Sequence, residues 1–233
     1  MNKKEVLEQI KGGLIVSCQA EKNEPLGKPE ILAALAQTAV IGGAVGIRAC
    51  YPENIKTIKD NVDVPVIGIY KKEYSDSDVF ISPTWKENQA VIEVNPEIIA
   101  LDATDRKRPD NESLKKIVDK IRQNSDSLLM ADIDNLENAI KAIKLGFDMI
   151  GTTLSGYTRA TESDSIPYKP DFQLIKDLIK TVDGNIPIIA EGRIWEPEDA
   201  RQIMELGVHA VVIGSAITRP HHITRRFVEA IKQ

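Results

Sequence analysis

Ile186-Pro187-Ile188-Ile189-Ala190-Glu191-Gly192-Arg193 and Ala210-Val211-Val212-Ile213-Gly214-Ser215-Ala216 flank a segment of helical spacing at 197–206, and together they form the unit from which the chain is built. Each flanking run is apolar along its length and then breaks into glycine and polar residues. A strand wetted on one face alternates apolar and polar residues, whereas an unbroken run belongs to a parallel sheet covered on both faces. Working outward, similar runs stand at 14–18, 44–49, 64–70, 98–101, 128–131 and 149–151, which makes eight.

Segments with helical spacing and polar faces lie between them, at 31–40, 113–121, 136–145, 172–179 and 223–231. Their ends carry start and stop signals. Asp134 is read as a cap with Glu137 three residues on, Pro52 and Pro197 suit first helical turns, and Gly146 and Gly207 sit where C-terminal caps belong. Eight strands in 233 residues give about 29 residues per unit, the spacing of an α/β fold of the (β/α)8 TIM barrel type. The rival, a doubly wound open sheet, needs a glycine-rich turn after the first strand to hold a dinucleotide, and Ser17-Cys18-Gln19-Ala20-Glu21 supplies none. No repeat or linker divides the chain, so residues 1–233 are read as one barrel domain. A short extra strand is expected near 79–81, and the polar stretch 155–170 reads as a long loop that closes over a ligand.

Composition narrows the function. Lys and Arg number 30 against 35 Asp and Glu, for a net charge of −5, and 42% of residues are hydrophobic. A compact chain of this size hides about 70% of its unfolded surface, so it needs no disulfide or metal staple. An acidic chain without a basic run argues against nucleic acid or an anionic membrane as partner. Glu5 and Glu8 interrupt the first apolar stretch, which excludes a signal peptide, and no run approaches the roughly 18 apolar residues of a membrane span. Cys18 and Cys50 form neither a disulfide framework nor a metal motif, and the expectation is a cytoplasmic protein.

In a barrel, chemistry sits at the carboxyl ends of the strands. Here those ends are Gln19, Arg48, Lys71, Asp102, Asp132, Thr152 with Thr153, Glu191, and Gly214 with Ser215. Gly192, Gly214 and Ser215 suit a phosphate held on backbone N–H groups after strands seven and eight, with Arg219 as a forked cationic donor, which makes this a phosphate-binding type of barrel. Lys71 either points to water, as Lys72 does, or faces the mouth among apolar walls near Arg48; in the second position its neutral form is favoured and it becomes a competent base. Glu191 ends the seventh strand at the same mouth, with a salt bridge to Arg193 or Arg219 as the plain structural alternative. A lysine and a carboxyl group across one pocket suit removal and return of a proton on carbon next to a carbonyl. His209, His221 and His222 have no metal-binding spacing, and Arg106-Lys107-Arg108 reads as a solvated loop close enough to Asp102 to help hold it.

The ordered motifs Gly13-Leu14-Ile15-Val16-Ser17-Cys18-Gln19, Gly46-Ile47-Arg48-Ala49, Pro65-Val66-Ile67-Gly68-Ile69-Tyr70-Lys71, Leu101-Asp102-Ala103-Thr104, Met130-Ala131-Asp132, Gly151-Thr152-Thr153-Leu154-Ser155-Gly156, Ala190-Glu191-Gly192 and Ile213-Gly214-Ser215-Ala216 through Arg219-Pro220 span the chain. In these the sequence resembles the N-acetylmannosamine-6-phosphate 2-epimerases of bacterial sialic acid catabolism. The resemblance implies interconversion of N-acetylmannosamine 6-phosphate and N-acetylglucosamine 6-phosphate without metal or redox cofactor. It implies Lys71 as acid/base at C2, Glu191 as partner carboxyl, and Gln19, Arg48, Asp132 and Arg219 as substrate contacts. Tyr70 stands where aliphatic residues are common in that family. Two other readings stay open: a Schiff-base aldolase using Lys71, and a non-catalytic sugar-phosphate sensor. A homodimer is the expected assembly.

Overall fold

The computed structural model describes residues 1–20, 24–162 and 169–232. Its strands are β1 (Leu14–Cys18), β2 (Gly46–Cys50), β3 (Val66–Ile69), β4 (Ile98–Asp102), β5 (Leu128–Asp132), β6 (Met149–Gly151), β7 (Ile188–Glu191) and β8 (Ala210–Ile213). All pair in parallel in chain order, and β1 closes onto β8 with Val16 opposite Ile213. The open-sheet alternative is excluded, because the fold is a (β/α)8 TIM barrel.

Helices follow or precede these strands: α1 (Lys3–Ile10), α2 (Pro29–Ile41), α3 (Pro52–Lys59), α4 (Trp85–Ile92), α5 (Leu114–Asn124), α6 (Leu136–Lys144), α7 (Phe172–Val182), α8 (Pro197–Glu205), α9 (Ser215–Thr218) and α10 (Pro220–Ile231). Successive strand residues point to opposite faces. Val16, Ile47, Ile99, Leu129, Ile150 and Val211 pack outward under the helices. Ile15, Ile67, Ile69, Met130, Ile189 and Val212 point inward and fill the barrel. Both faces are dry, which is why the runs read as unbroken.

Val6 and Ile10 of α1 join the inner core, closing the amino-terminal end of the barrel. Asn2 and Glu5 start that helix as a reciprocal capping box, with bonds of 3.0 Å from the Glu5 N–H to Asn2 Oδ1 and 2.8 Å from the Asn2 N–H to Glu5 Oε2. The sequence reading contains no helix there, since Glu5 and Glu8 enter it only as interruptions of a signal peptide.

Other expectations are corrected by the structure. Asn135, rather than Asp134, caps α6, accepting from the Asn138 N–H at 2.9 Å. Asp134 is buried and accepts from Asn138 Nδ2 and Thr158 Oγ1, both at 2.8 Å. The strand expected near 79–81 reduces to a single antiparallel bridge between Lys71 and Ile81. The last helix begins at Pro220, three residues before the expected start, and is preceded by the short α9. Residues 155–162 of the expected loop are turns, and 163–168 lie outside the described residues. Pro52 and Pro197 do open helices, and Gly146 and Gly207 follow the ends of α6 and α8 with positive φ.

Candidate active site

The two-residue period that fills the barrel also builds its mouth. Continuing inward from Ile67 and Ile69, the next position is Lys71; from Ile189 it is Glu191; from Ile15 it is Ser17 and then Gln19. These side chains line one cavity of about 480 Å³ with Arg48, Thr153, Gly192, Arg193, Gly214, Ser215 and Arg219, under an apolar wall that includes Phe80, Leu154 and Trp195. Gly192 adopts φ +108°, a left-handed turn that lets the chain leave β7 and return across the mouth.

Beneath the cavity lies a charged network. Arg48 is 1% exposed and grips both oxygens of Asp132, at 3.1 and 2.6 Å. Its Nη1 also donates to Glu191 Oε2 at 2.8 Å. The Glu191 carboxyl group is therefore paired with Arg48, and the alternative salt bridge to Arg193 or Arg219 is not formed. Asp132 is fully buried and lies beneath Arg48 without lining the cavity, so its contribution runs through the guanidinium. Gly151 makes room for it: a Cβ there would meet Met130 Cε at 2.2 Å and Asp132 Oδ1 at 3.3 Å.

Burial alone would lower the Arg48 pKa, yet the facing Asp132 and Glu191 carboxylates outweigh it and hold the guanidinium charged. Lys71 is pushed below the ordinary lysine value, first by burial; Arg48 and Arg219 reinforce this, while Cys50 and Glu191 oppose it. Glu191 is pushed above the ordinary carboxylate value, again first by burial, with Asp132 adding to the rise and Arg48 and Lys71 resisting it, as does a Thr153 hydroxyl when it donates its proton to Glu191 rather than to Asp132. Charge bookkeeping explains the pair. Arg48 cancels one of the two carboxylates, and a single proton, on Glu191 or on Lys71, neutralises the remainder. An amine pushed down and a carboxyl group pushed up in one cavity have the chemistry to pass a proton between them.

Gln19 donates to Ser17 Oγ at 2.8 Å, and among the described residues its Oε1, with Arg48 Nε and Arg193 Nε, is buried without a hydrogen-bond partner, as expected of a polar site that a ligand completes. Arg219 lines the cavity with its Nη1 3.8 Å from Glu24 Oε1. Thr152 acts on the backbone, bonding both the N–H and the carbonyl of Glu191 at 3.0 and 2.9 Å. Asp102 does not line the cavity. Arg106 holds it at 2.5 Å, as its position in the sequence suggests, but Arg108 is buried and donates to the Asp102 and Pro83 carbonyls, so the expected solvated loop is only partly so. Arg193, Tyr157 and Thr153 have no assigned role in the sequence reading; the inward period at Gly151 and Thr153 is the one signal that marks a member of this group. Among the described residues no group of His, Cys, Asp and Glu could hold a metal ion, and no helix is long and apolar enough to cross a membrane.

A closed barrel that gathers a lysine, a carboxyl group and a buried arginine–aspartate pair at its carboxyl-terminal mouth is an enzyme of the (β/α)8 class. A family model described as "Putative N-acetylmannosamine-6-phosphate epimerase" (NanE) matches residues 32–233, and the chain belongs to that family. Relatives described as "Putative N-acetylmannosamine-6-phosphate 2-epimerase" include one from Listeria monocytogenes serotype 4b (strain CLIP80459), 51% identical over 229 residues and 98% of each chain. Another, from Clostridioides difficile (strain 630), is 51% identical over 97% of this chain and 99% of its own. The solved N-acetylmannosamine-6-phosphate 2-epimerase from Clostridium perfringens superposes with a TM-score of 0.91 at 46% identity, covering 96% of this chain and 95% of that one. A thiamine phosphate pyrophosphorylase from Pyrococcus furiosus, at 18% identity and a TM-score of 0.60, shares the fold.

Proposed function

We propose that this chain interconverts N-acetylmannosamine 6-phosphate and N-acetylglucosamine 6-phosphate, inverting C2 by removing and returning its proton. The observation that carries this reading is that Lys71 and Glu191 line one cavity with pKa values pushed toward each other, the amine down and the carboxyl up. Family membership and the substrate named for its relatives point the same way.

A C2 proton in a closed sugar ring is not acidic, so the ring opens first. Protonated Glu191 gives its proton to the ring oxygen as the C1–O bond breaks toward that oxygen, and the anomeric hydroxyl releases its own proton to solvent as the C1 carbonyl forms. Neutral Lys71 then takes the C2 proton, and the electron pair passes into an enolate whose oxygen charge faces the Arg48 guanidinium. Return of a proton to the opposite face inverts the centre: either Lys71 gives back the proton it took once the enolate has turned over, or Glu191, reprotonated from solvent, gives one while Lys71 releases its own to solvent. On ring closure the C5 hydroxyl proton passes to Glu191 and the C1 oxygen takes one from solvent. In this reading Gln19 and Arg219 contact substrate, Asp132 serves by fixing Arg48, and the phosphate rests on the backbone of Gly192, Gly214 and Ser215 with Arg219 beside it. No metal or redox cofactor enters the scheme, and the protein is read as a cytoplasmic homodimer of single barrels; sedimentation of the purified chain checks the assembly.

Incubation with N-acetylmannosamine 6-phosphate in deuterated water, followed by NMR, should give the C2 epimer with deuterium at C2. Lys71→Ala should abolish both label and product while phosphate binding persists. Retained exchange in that variant removes Lys71 from the chemistry. A lowered lysine pKa also suits Schiff-base formation, as in an aldolase. Borohydride treatment with substrate would then leave a covalent adduct on Lys71, whereas a proton-transfer base leaves none.

A further inference from the structure

We propose that Thr153 is a positioning residue that keeps Glu191 in its acid form: the Thr153 hydroxyl donates its single proton to Asp132, and its oxygen accepts a hydrogen bond from the protonated Oε2 of Glu191. Thr153 Oγ1 lies 2.6 Å from Asp132 Oδ1 and 3.1 Å from Glu191 Oε2, so it touches two acidic side chains at once. A hydroxyl carries one proton. The shorter contact, to an Asp132 carboxylate already gripped at both oxygens by Arg48, takes it. What remains toward Glu191 is a lone pair, which attracts a protonated carboxyl and repels an ionised one. Glu191 Oε2 can carry a proton for Thr153 and still accept from Arg48 Nη1 at 2.8 Å.

Among the described residues nothing else is placed to do this. Glu191 on β7 faces Arg48 from β2, Lys71 beyond β3, Asp132 from β5 and Thr153 beyond β6, with Tyr157 in the next turn. Arg48 and Lys71 favour the carboxylate and Asp132 opposes it through charge alone, so Thr153 is the neutral group whose hydrogen-bond direction selects the protonation state. The hydroxyl is positioned for this by Gly151, two residues earlier, which leaves the space that Asp132 and Thr153 share. The role of the loaded proton in opening the sugar ring rests on the epimerase reading; the protonation state in the free protein does not.

Two measurements test the pair of statements separately. In protein labelled with 13C at glutamate carboxyls, the Glu191 resonance, assigned by its loss in Glu191→Gln, is titrated in wild type, Thr153→Val and Thr153→Ser. Valine should move the Glu191 titration down by about one pH unit, the worth of one hydrogen bond to an ionisable group, and serine should restore it. In turnover, Thr153→Val should lower kcat about tenfold with KM nearly unchanged and move the basic limb of the pH profile down by the same amount. An upward movement means that Thr153 donates to Glu191 and overturns the proposal, as does no movement at all. Thr153→Ala repeats the titration if valine disturbs the fold. A wild-type protein that fails to epimerise the sugar removes the epimerase reading, while the carboxyl titration still decides for or against Thr153.

Discussion

At the scale of single residues, the site turns on how Arg48 is held. It is 1% exposed and fully buried Asp132 is its bidentate partner, so the two form an ion pair that neither can leave alone. Removing one member of such a pair strands the other charge in a low dielectric. Asp132→Asn keeps the volume, yet it should cost about 3 kcal/mol or more of stability, read as a lower urea midpoint. Turnover should fall more steeply than substrate affinity, because Arg48 loses its fixed orientation toward the developing oxygen charge. An asparagine variant with wild-type stability and rate would mean that Asp132 is a bystander. Lys71 and Glu191 were legible from the sequence as strand ends, since an apolar run that stops at a titratable residue marks a mouth. The roles of Thr153 and Arg193 and the identity of the Glu191 partner were not, because hydroxyl direction and ion pairing depend on which strands become neighbours across the barrel.

Among the elements, α1 is the one whose effect is least apparent from its sequence. It is eight residues long and has only Val6 and Ile10 fully buried, yet those two side chains seal the end of the barrel opposite the site. Ile10 is fully buried against the inner core. Ile10→Ala should therefore destabilise by about 2–5 kcal/mol through lost burial and a residual cavity, measured by urea unfolding, with kcat nearly intact because the chemistry lies at the other end. A loss of activity without loss of stability would show that the two ends are coupled. The strands themselves were read within about two residues of their observed bounds, which is the ordinary fraying of such assignments. Of the short helices, α4 escaped and α3 was marked only by its opening Pro52, because eight residues give barely two turns of periodicity, and packing against neighbouring strands supplies what pattern alone does not.

For the whole molecule, ligand and fold are thermodynamically linked. Substrate that binds the closed barrel and not the unfolded chain stabilises it by about 2.7 kcal/mol at one hundred times its dissociation constant. For a chain of this size that corresponds to a rise in Tm of roughly 5–10 °C. N-acetylmannosamine 6-phosphate should produce such a rise, N-acetylmannosamine should produce much less, and Arg219→Ala should remove most of the difference. Equal shifts for the two sugars would show that no phosphate subsite operates.

The number of strands, their parallel direction and the titratable residues at their ends can be read from the chain alone, because burial on both faces writes itself into composition locally. The register in which β1 meets β8, the reach of Arg48 across the barrel to Asp132 and Glu191, and the place of Thr153 between two carboxyl groups come from the folded barrel. Those facts are distances between residues some 20 to 200 positions apart in the chain, and the closure of the sheet sets them.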